Sequence, residues 1–165
     1  MSAQPAPSLQ VARMIGDTCL CLDVQRASRA IGRRFDEAFR PLGLNNWQFS
    51  LLMALNGPTP LTMSSLAERL AMDRTTTTGN LKPLERRGLV EIRRDDQDAR
   101  VRRIVLTDAG RAVLAEAVKH WRAVNDAVAA SLGGTDLAAF RAALRTVAGV
   151  RTQRRVERLR SDPRG

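Results

Sequence analysis

Residues 62–107 read TMSSLAERLAMDRTTTTGNLKPLERRGLVEIRRDDQDARVRRIVLT, and the order of signals within them decides the fold. Thr62 and Asp73 are residue types whose side-chain oxygen accepts from the first turn of a helix, and Gly88 is the type that ends one. The spacing predicts helices over 63–71 and 74–87 joined by one tight turn, the proportions of a helix-turn-helix. Beyond Gly88 the period changes. Val90 and Ile92 alternate with Glu91 and Arg93, which predicts strands over 89–94 and 100–106. Asp95-Asp96-Gln97-Asp98-Ala99 between them is a polar loop, so the pair forms a hairpin. A helix-turn-helix followed at once by a charged hairpin is a winged helix.

On the N-terminal side, residues 1–9 carry two prolines and read as a loose arm. Apolar residues spaced by three and four, among them Ile15, Cys19, Ile31 and Phe35, then predict one long helix over 11–40, stopped by Pro41-Leu42-Gly43. A chain of this size cannot bury the whole stripe of such a helix, so a partner helix and a dimer are expected. Asn45 and Gln48 form a capping box for a helix to about 56, broken by Gly57-Pro58-Thr59-Pro60. After the hairpin, Thr107 caps a helix to about 132, Gly133-Gly134 breaks it, and Thr135 or Asp136 opens a last helix to about 159. The expected fold is mainly α with a small β-hairpin wing. One domain spans 1–165: a DNA-binding lobe over 45–106, flanked by dimerisation helices over 11–44 and 107–160.

The chain has 165 residues, 27 of them Lys or Arg against 17 Asp or Glu, a net charge of +10. Acidic partners therefore come first: nucleic acid, then an anionic membrane surface. The excess is uneven. Residues 61–111 hold 11 basic and 8 acidic groups, whereas residues 141–165 hold 8 and 2, so order of motifs is a stronger argument than overall charge. No apolar run approaches the roughly 18 residues that cross a bilayer. The start, MSAQPAPSLQVARMI, lacks the basic end and apolar core of an export signal, so a cytoplasmic protein is expected, on the nucleoid when bound to DNA. Two cysteines and one histidine furnish neither a disulfide scaffold nor a four-ligand zinc site, and no cofactor or metal is expected. There is no tyrosine, no nucleophile elbow and no phosphate-binding glycine loop, and no nucleophile–base–acid set can be assembled. The remaining classes are a sequence-specific regulator of double-stranded DNA and a less specific nucleoid or RNA-binding protein.

The second helix of a helix-turn-helix lies in the major groove and reads bases from its N-terminal turns. Here those turns are Arg74-Thr75-Thr76-Thr77-Thr78, with Asn80 and Lys82 beyond them. Threonine is a poor helix former, so four in a row are odd filler; Thr75, Thr76 and Thr78 are candidates for phosphate or base contact, and Arg74 for guanine or phosphate. The competing reading is a capping turn with packed threonines. Pro83 cannot donate to the carbonyl of Gly79, which predicts a bent or loosened helix there. The hairpin holds Arg93, Arg94, Arg100, Arg102 and Arg103 within eleven residues. Singly each is a solvated charge; together they suit a minor groove, with Asp98 orienting one of them.

From residue 44 to about 110 the chain resembles the MarR family of winged-helix transcriptional regulators. The pieces that carry the likeness are GLNNWQFSLLMAL, LTMSSLAERLAMDRTTTTGNLKPLERRGLV and DARVRRIVLTDAG, the last with the wing signature at Asp98, Arg100, Leu106 and Thr107. The resemblance implies a homodimer joined by its first and last helices, reading a near-palindrome with half-sites about one helical turn apart, and acting as a repressor. It implies that Arg100 enters the minor groove beside Asp98. The likeness departs at Gly79, where many members carry arginine. It also implies a small phenolic or other aromatic effector held between the first, second and fifth helices. Trp47 and Leu51 are candidates for the apolar wall of such a pocket, and Gln25, Arg26 or His120 for its polar contact. Core packing for Trp47 and a surface place for His120 are the rival readings.

Cys21, eight residues before Arg29, falls where the peroxide-sensing branch of the family keeps its reactive cysteine. That branch surrounds the thiol with tyrosines, for which this chain has Gln25, Phe35 and Asn46. Cys19 and Cys21 thus read as packed small hydrophobes, as a thiol switch, or as soft-metal ligands. Two apart on a helix they point about 200° apart, so a bond between them requires the helix to unwind.

Overall fold

The computed structural model describes residues 6–149. In order, the elements are α1 Leu9–Thr18, α2 Leu20–Phe39, a 3-10 turn at Arg40–Leu42, α3 Asn46–Leu55, α4 Met63–Arg69 and α5 Arg74–Arg86. Then come β1 Val90–Arg94, β2 Arg102–Leu106, α6 Asp108–Ser131 and α7 Leu137–Val147. The chain divides into two compact units, Met1–Asn125 and Asp126–Gly165.

Short-range capping sets most of the boundaries in the first unit. Asn45 accepts from the Gln48 amide at 2.8 Å while Gln48 accepts from the Asn45 amide at 3.1 Å, the reciprocal box that opens α3. Thr62 accepts from the Ser65 amide at 3.1 Å to open α4. Ala71, at φ 52°, makes the left-handed step between α4 and α5 that glycine would take more easily. Gly88, at φ 67°, ends α5 and turns the chain into β1. β1 and β2 pair antiparallel, Val90 opposite Leu106 and Arg94 opposite Arg102. The Ile104 amide also donates to the Leu61 carbonyl at 2.8 Å, tying the hairpin to the start of α4. Thr107 donates to the Gly88 carbonyl at 2.7 Å and accepts from the Gly110 amide at 3.0 Å, opening α6. Gly110 is required there, since a Cβ would lie 2.0 Å from the Leu89 carbonyl oxygen.

These elements share one core. Leu51, Leu52, Leu66, Leu84 and Ile104 are among its fully or nearly fully buried side chains, and Phe39 stacks on Phe49 with ring centres 4.6 Å apart.

The single helix expected over 11–40 is two helices. Cys19 sits between them in extended backbone, φ −78° and ψ 98°. Gly16, Asp17 and Thr18 are weak helix formers, and the Thr18 hydroxyl donates to the Met14 carbonyl at 2.8 Å, a bond that bends a helix. None of α1 is buried, and α2 buries only Phe39.

In the second unit Asp136, not Thr135, caps α7, accepting from the Ala138 and Ala139 amides at 2.8 and 3.1 Å. The helix expected to reach about 159 ends at Val147, with Gly149 at φ 65°, and the arginine-rich stretch that follows lies outside the described residues. Phe140, Leu144 and Val147, at i, i+4 and i+7 of α7, are all exposed. Among the described residues no helix is long and apolar enough to cross a membrane.

Candidate nucleic-acid interface

The first turn of α5 is organised by Asp73. One carboxylate oxygen accepts from the Thr76 amide at 2.7 Å and the other from the Thr76 hydroxyl at 2.6 Å. These bonds, the hydroxyl's first, hold the Asp73 carboxyl below its ordinary range. Thr77 is fully buried, its hydroxyl donating to the Asp73 carbonyl at 2.8 Å. Thr78 donates to the Arg74 carbonyl at 2.7 Å. The four threonines therefore divide between packing and surface, which sequence alone left open. Asn80 is half-buried, donating to the Thr76 carbonyl at 3.0 Å and lying 3.5 Å from the Asn45 amide group. Arg74, Thr75, Thr78, Gly79 and Lys82 line an open hollow of about 380 Å³. α5 is helical without interruption through Pro83.

In the wing carboxylates hold two of the five arginines in place, though not in the expected pairing. Asp98 accepts from the Arg100 backbone amide at 2.9 Å, so it shapes the loop and does not hold a guanidinium. Asp95 takes that part. It accepts from the Arg103 Nε at 2.5 Å and from the Gln97 and Asp98 amides at 3.0 and 3.1 Å. The Arg103 hydrogen bond, followed by those two amides, lowers the Asp95 carboxyl from its ordinary value. Arg103 also reaches the Pro60 carbonyl at 3.4 Å, clamping the wing to the loop before α4. Arg93, directly opposite Arg103, pairs with Glu91, so each of two facing cations has its own carboxylate. Arg94, Arg100 and Arg102 are exposed and join no ion pair among the described residues.

The effector and redox candidates lie on α2, α3 and α6 and at the break before α2. Leu51 is fully buried in the core, so in the single chain its side chain offers no surface to a ligand. Trp47 is 49% exposed and is not core. His120 is half-buried on α6, and Arg26 is exposed on α2. Cys21 is exposed, and Gln25 donates to its Sγ at 3.2 Å while accepting from Arg29 at 3.4 Å. Cys19 is half-buried at the helix break, so no helix has to unwind at that residue. Among the described residues no cluster of three or more potential ligands could hold a metal.

Two contacts escaped the sequence reading. Arg87 donates to the Gly43 and Leu42 carbonyls at 2.6 and 2.8 Å, locking the end of α5 to the turn after α2. Asp36 accepts from the Asn46 amide at 2.7 Å. Neither has a local signal, since each joins residues ten or more apart.

Residues 42–101 match the family model described as the MarR family. The HTH-type transcriptional regulator YwoH of Bacillus subtilis is 30% identical over 102 residues, 62% of this chain and 69% of its own. SarZ of Staphylococcus epidermidis, also an HTH-type transcriptional regulator, is 32% identical over 56% of this chain and 62% of its own. Among solved structures, the M. tuberculosis transcriptional regulator MosR in complex with DNA is 42% identical, with TM-score 0.71 over 79% of this chain and 94% of that one. The transcriptional repressor CouR, bound to a 23-mer DNA duplex, is 27% identical, with TM-score 0.72 over 88% and 99%.

Proposed function

Because the chain belongs to the MarR family of DNA-binding transcriptional regulators, we propose that it is a cytoplasmic repressor that binds a near-palindromic operator as a homodimer. In this reading α5 enters the major groove, with Arg74, Thr75, Thr76 and Thr78 at base edges or phosphates and Asn80 and Lys82 beside them. The wing takes the minor groove, led by Arg100 and supported by Arg93, Arg94 and Arg102, with Asp98 shaping its loop. The observations that carry the reading are the exposed guanidinium groups of Arg94, Arg100 and Arg102 on the wing, unpaired among the described residues, and the exposed start of α5 at Arg74, Thr75 and Thr76. The MosR and CouR structures each contain DNA, and a duplex of 23 base pairs is long enough for two half-sites one helical turn apart. Exposed apolar residues on α1, α2 and α7, outside the lobe over 45–106, support the dimer. A small aromatic effector would bias the spacing of the two reading heads, and half-exposed Trp47 is the ring it would stack on.

A second reading is favoured by the thiols: Cys21 is exposed beside Gln25 and Arg29, and Cys19 already lies outside regular helix. In it, oxidation by peroxide replaces the effector as the signal for release. One experiment addresses both. The duplex upstream of the protein's own gene is titrated at two salt concentrations against random competitor, with reduced and peroxide-treated protein. Competitor-resistant binding is the expected result, and equal competition by random DNA would sink the specific-repressor reading in favour of a nucleoid-type protein. Binding lost on oxidation and restored by reductant would select the thiol; indifference to peroxide would select the effector.

A further inference from the structure

Gly79 lies one helical turn beyond Thr75 on the exposed face of α5, and no packed side chain requires glycine there. Its φ lies outside the left-handed region. A Cβ built on it would meet no atom within 4 Å. Beyond easing the carbonyl that faces Pro83, glycine only costs the isolated fold stability, because it weakens a helix relative to alanine. What it supplies is depth. With no side chain at 79, the hollow bordered by Arg74, Thr75, Thr78 and Lys82 reaches the helix backbone.

The chemistry of that hollow is mixed in a definite way. Arg74 and Lys82 put a cation at each end. Between them the Thr78 hydroxyl proton is committed to the Arg74 carbonyl at 2.7 Å, and Thr75 makes no side-chain hydrogen bond among the described residues. Threonine methyl groups, the Gly79 methylene and the alkyl stems of Arg74 and Lys82 supply the carbon surface there. In the major groove the one methyl on a base edge is the C5-methyl of thymine.

We propose that Gly79 is a specificity-determining position, its notch receiving the C5-methyl of one thymine in each half-site while Arg74 and Lys82 hold the flanking phosphates. The proposal rests on α5 being the recognition helix and adds what that helix reads.

The test begins with selection by the intact protein from a pool of random-sequence duplexes. The selected duplex is then resynthesised with deoxyuridine at one thymine at a time, which removes only the methyl. The expected result is one position per half-site where the change weakens binding about fourfold, the value of one buried methyl-sized group. Gly79→Ala, which fills the notch, should bind the thymine and deoxyuridine duplexes equally, with its salt dependence unchanged and its melting temperature no lower. Indifference of the native protein to deoxyuridine at every position overturns the notch, as does continued discrimination by Gly79→Ala; either leaves DNA recognition standing. A pool that yields no preferred sequence, with binding governed by salt alone, overturns the specific-repressor reading and the notch with it.

Discussion

Residues 44–117 and the helices on either side of them use apolar side chains in opposite ways. Inside the segment, Leu52, Leu66, Leu84, Leu106 and Leu114 are buried in a shared core, and α3, α4, α5 and α6 each open on a side-chain cap. Outside it, α1 and α7 bury nothing and α2 buries only Phe39, although Leu9, Leu20, Phe140 and Val147 are as apolar as the core. A helix that leaves its apolar stripe in water is built for association. In the proposed dimer, folding and assembly are carried by different residues, and substitutions should separate them.

The largest effect is expected in the core. Leu66→Ala should lower unfolding free energy by about 2–5 kcal/mol, measured by chemical denaturation, because it leaves a cavity among side chains that cannot close over it. A loss under about 1 kcal/mol would show the core to be looser than the structure has it. Leu20→Ala is the counterpart in α2, where the side chain is 76% exposed in the single chain. It should leave the unfolding of the monomer unchanged and raise the dimer dissociation constant at least tenfold, since burial of a leucine is worth about 1.5 kcal/mol or more per copy. Sedimentation at a series of concentrations measures this, and an unchanged monomer–dimer balance would remove α2 from the interface.

Function should separate from both. Arg100→Ala is expected to weaken operator binding several-fold or more with melting temperature and dimerisation unaltered, because its guanidinium joins no ion pair among the described residues. Unaltered affinity would refute the wing assignment. Smaller still, Ala71→Gly should raise the melting temperature by about 2–4 °C by relieving the left-handed backbone at that residue. A decrease would mean that the methyl of Ala71 packs more than the turn strains.

Asp95 offers the finest probe of how the wing is held. Its carboxyl is lowered by Arg103 and two backbone amides, so the folded state binds a proton less readily than the unfolded one. That contribution is complete above the unfolded carboxylate value of about 3.9 and is lost as pH falls through the lower folded value. Asp95→Asn should be less stable than the native protein at pH 7, and the difference should close as pH drops below about 4. A gap of constant size from pH 7 to pH 3 would assign the role of Asp95 to shape and not to charge.

Much of this architecture was legible because its causes are local. The caps at Asn45, Thr62, Asp73 and Thr107 each act three residues ahead, and the change from a 3.6 to a 2 period after Gly88 marks the wing directly. The exposed basic residues of α5 and the wing were legible for the same reason. The errors lie where local signals compete. The apolar spacing through Ile15, Cys19 and Leu22 looks continuous, yet a run of weak helix formers ending in Thr18 breaks the helix at Cys19. Leu51 fits a pocket wall or a core equally well by spacing, and only its packing decided for the core.

The sequence by itself determined a winged helix-turn-helix flanked by helices, since hydrophobic period, caps and turn residues depend on neighbours within a few positions. Tertiary structure decided which charges meet. Asp98 and Asp95 are three residues apart in one acidic loop, but only Asp95 lies across the hairpin from Arg103, whose other end reaches Pro60, 43 residues away in sequence. The Arg87 clamp on Leu42 and Gly43 spans a similar distance. Such pairings follow from strand register and from how α2, α4 and the wing close on one core, and no periodicity along the chain encodes them.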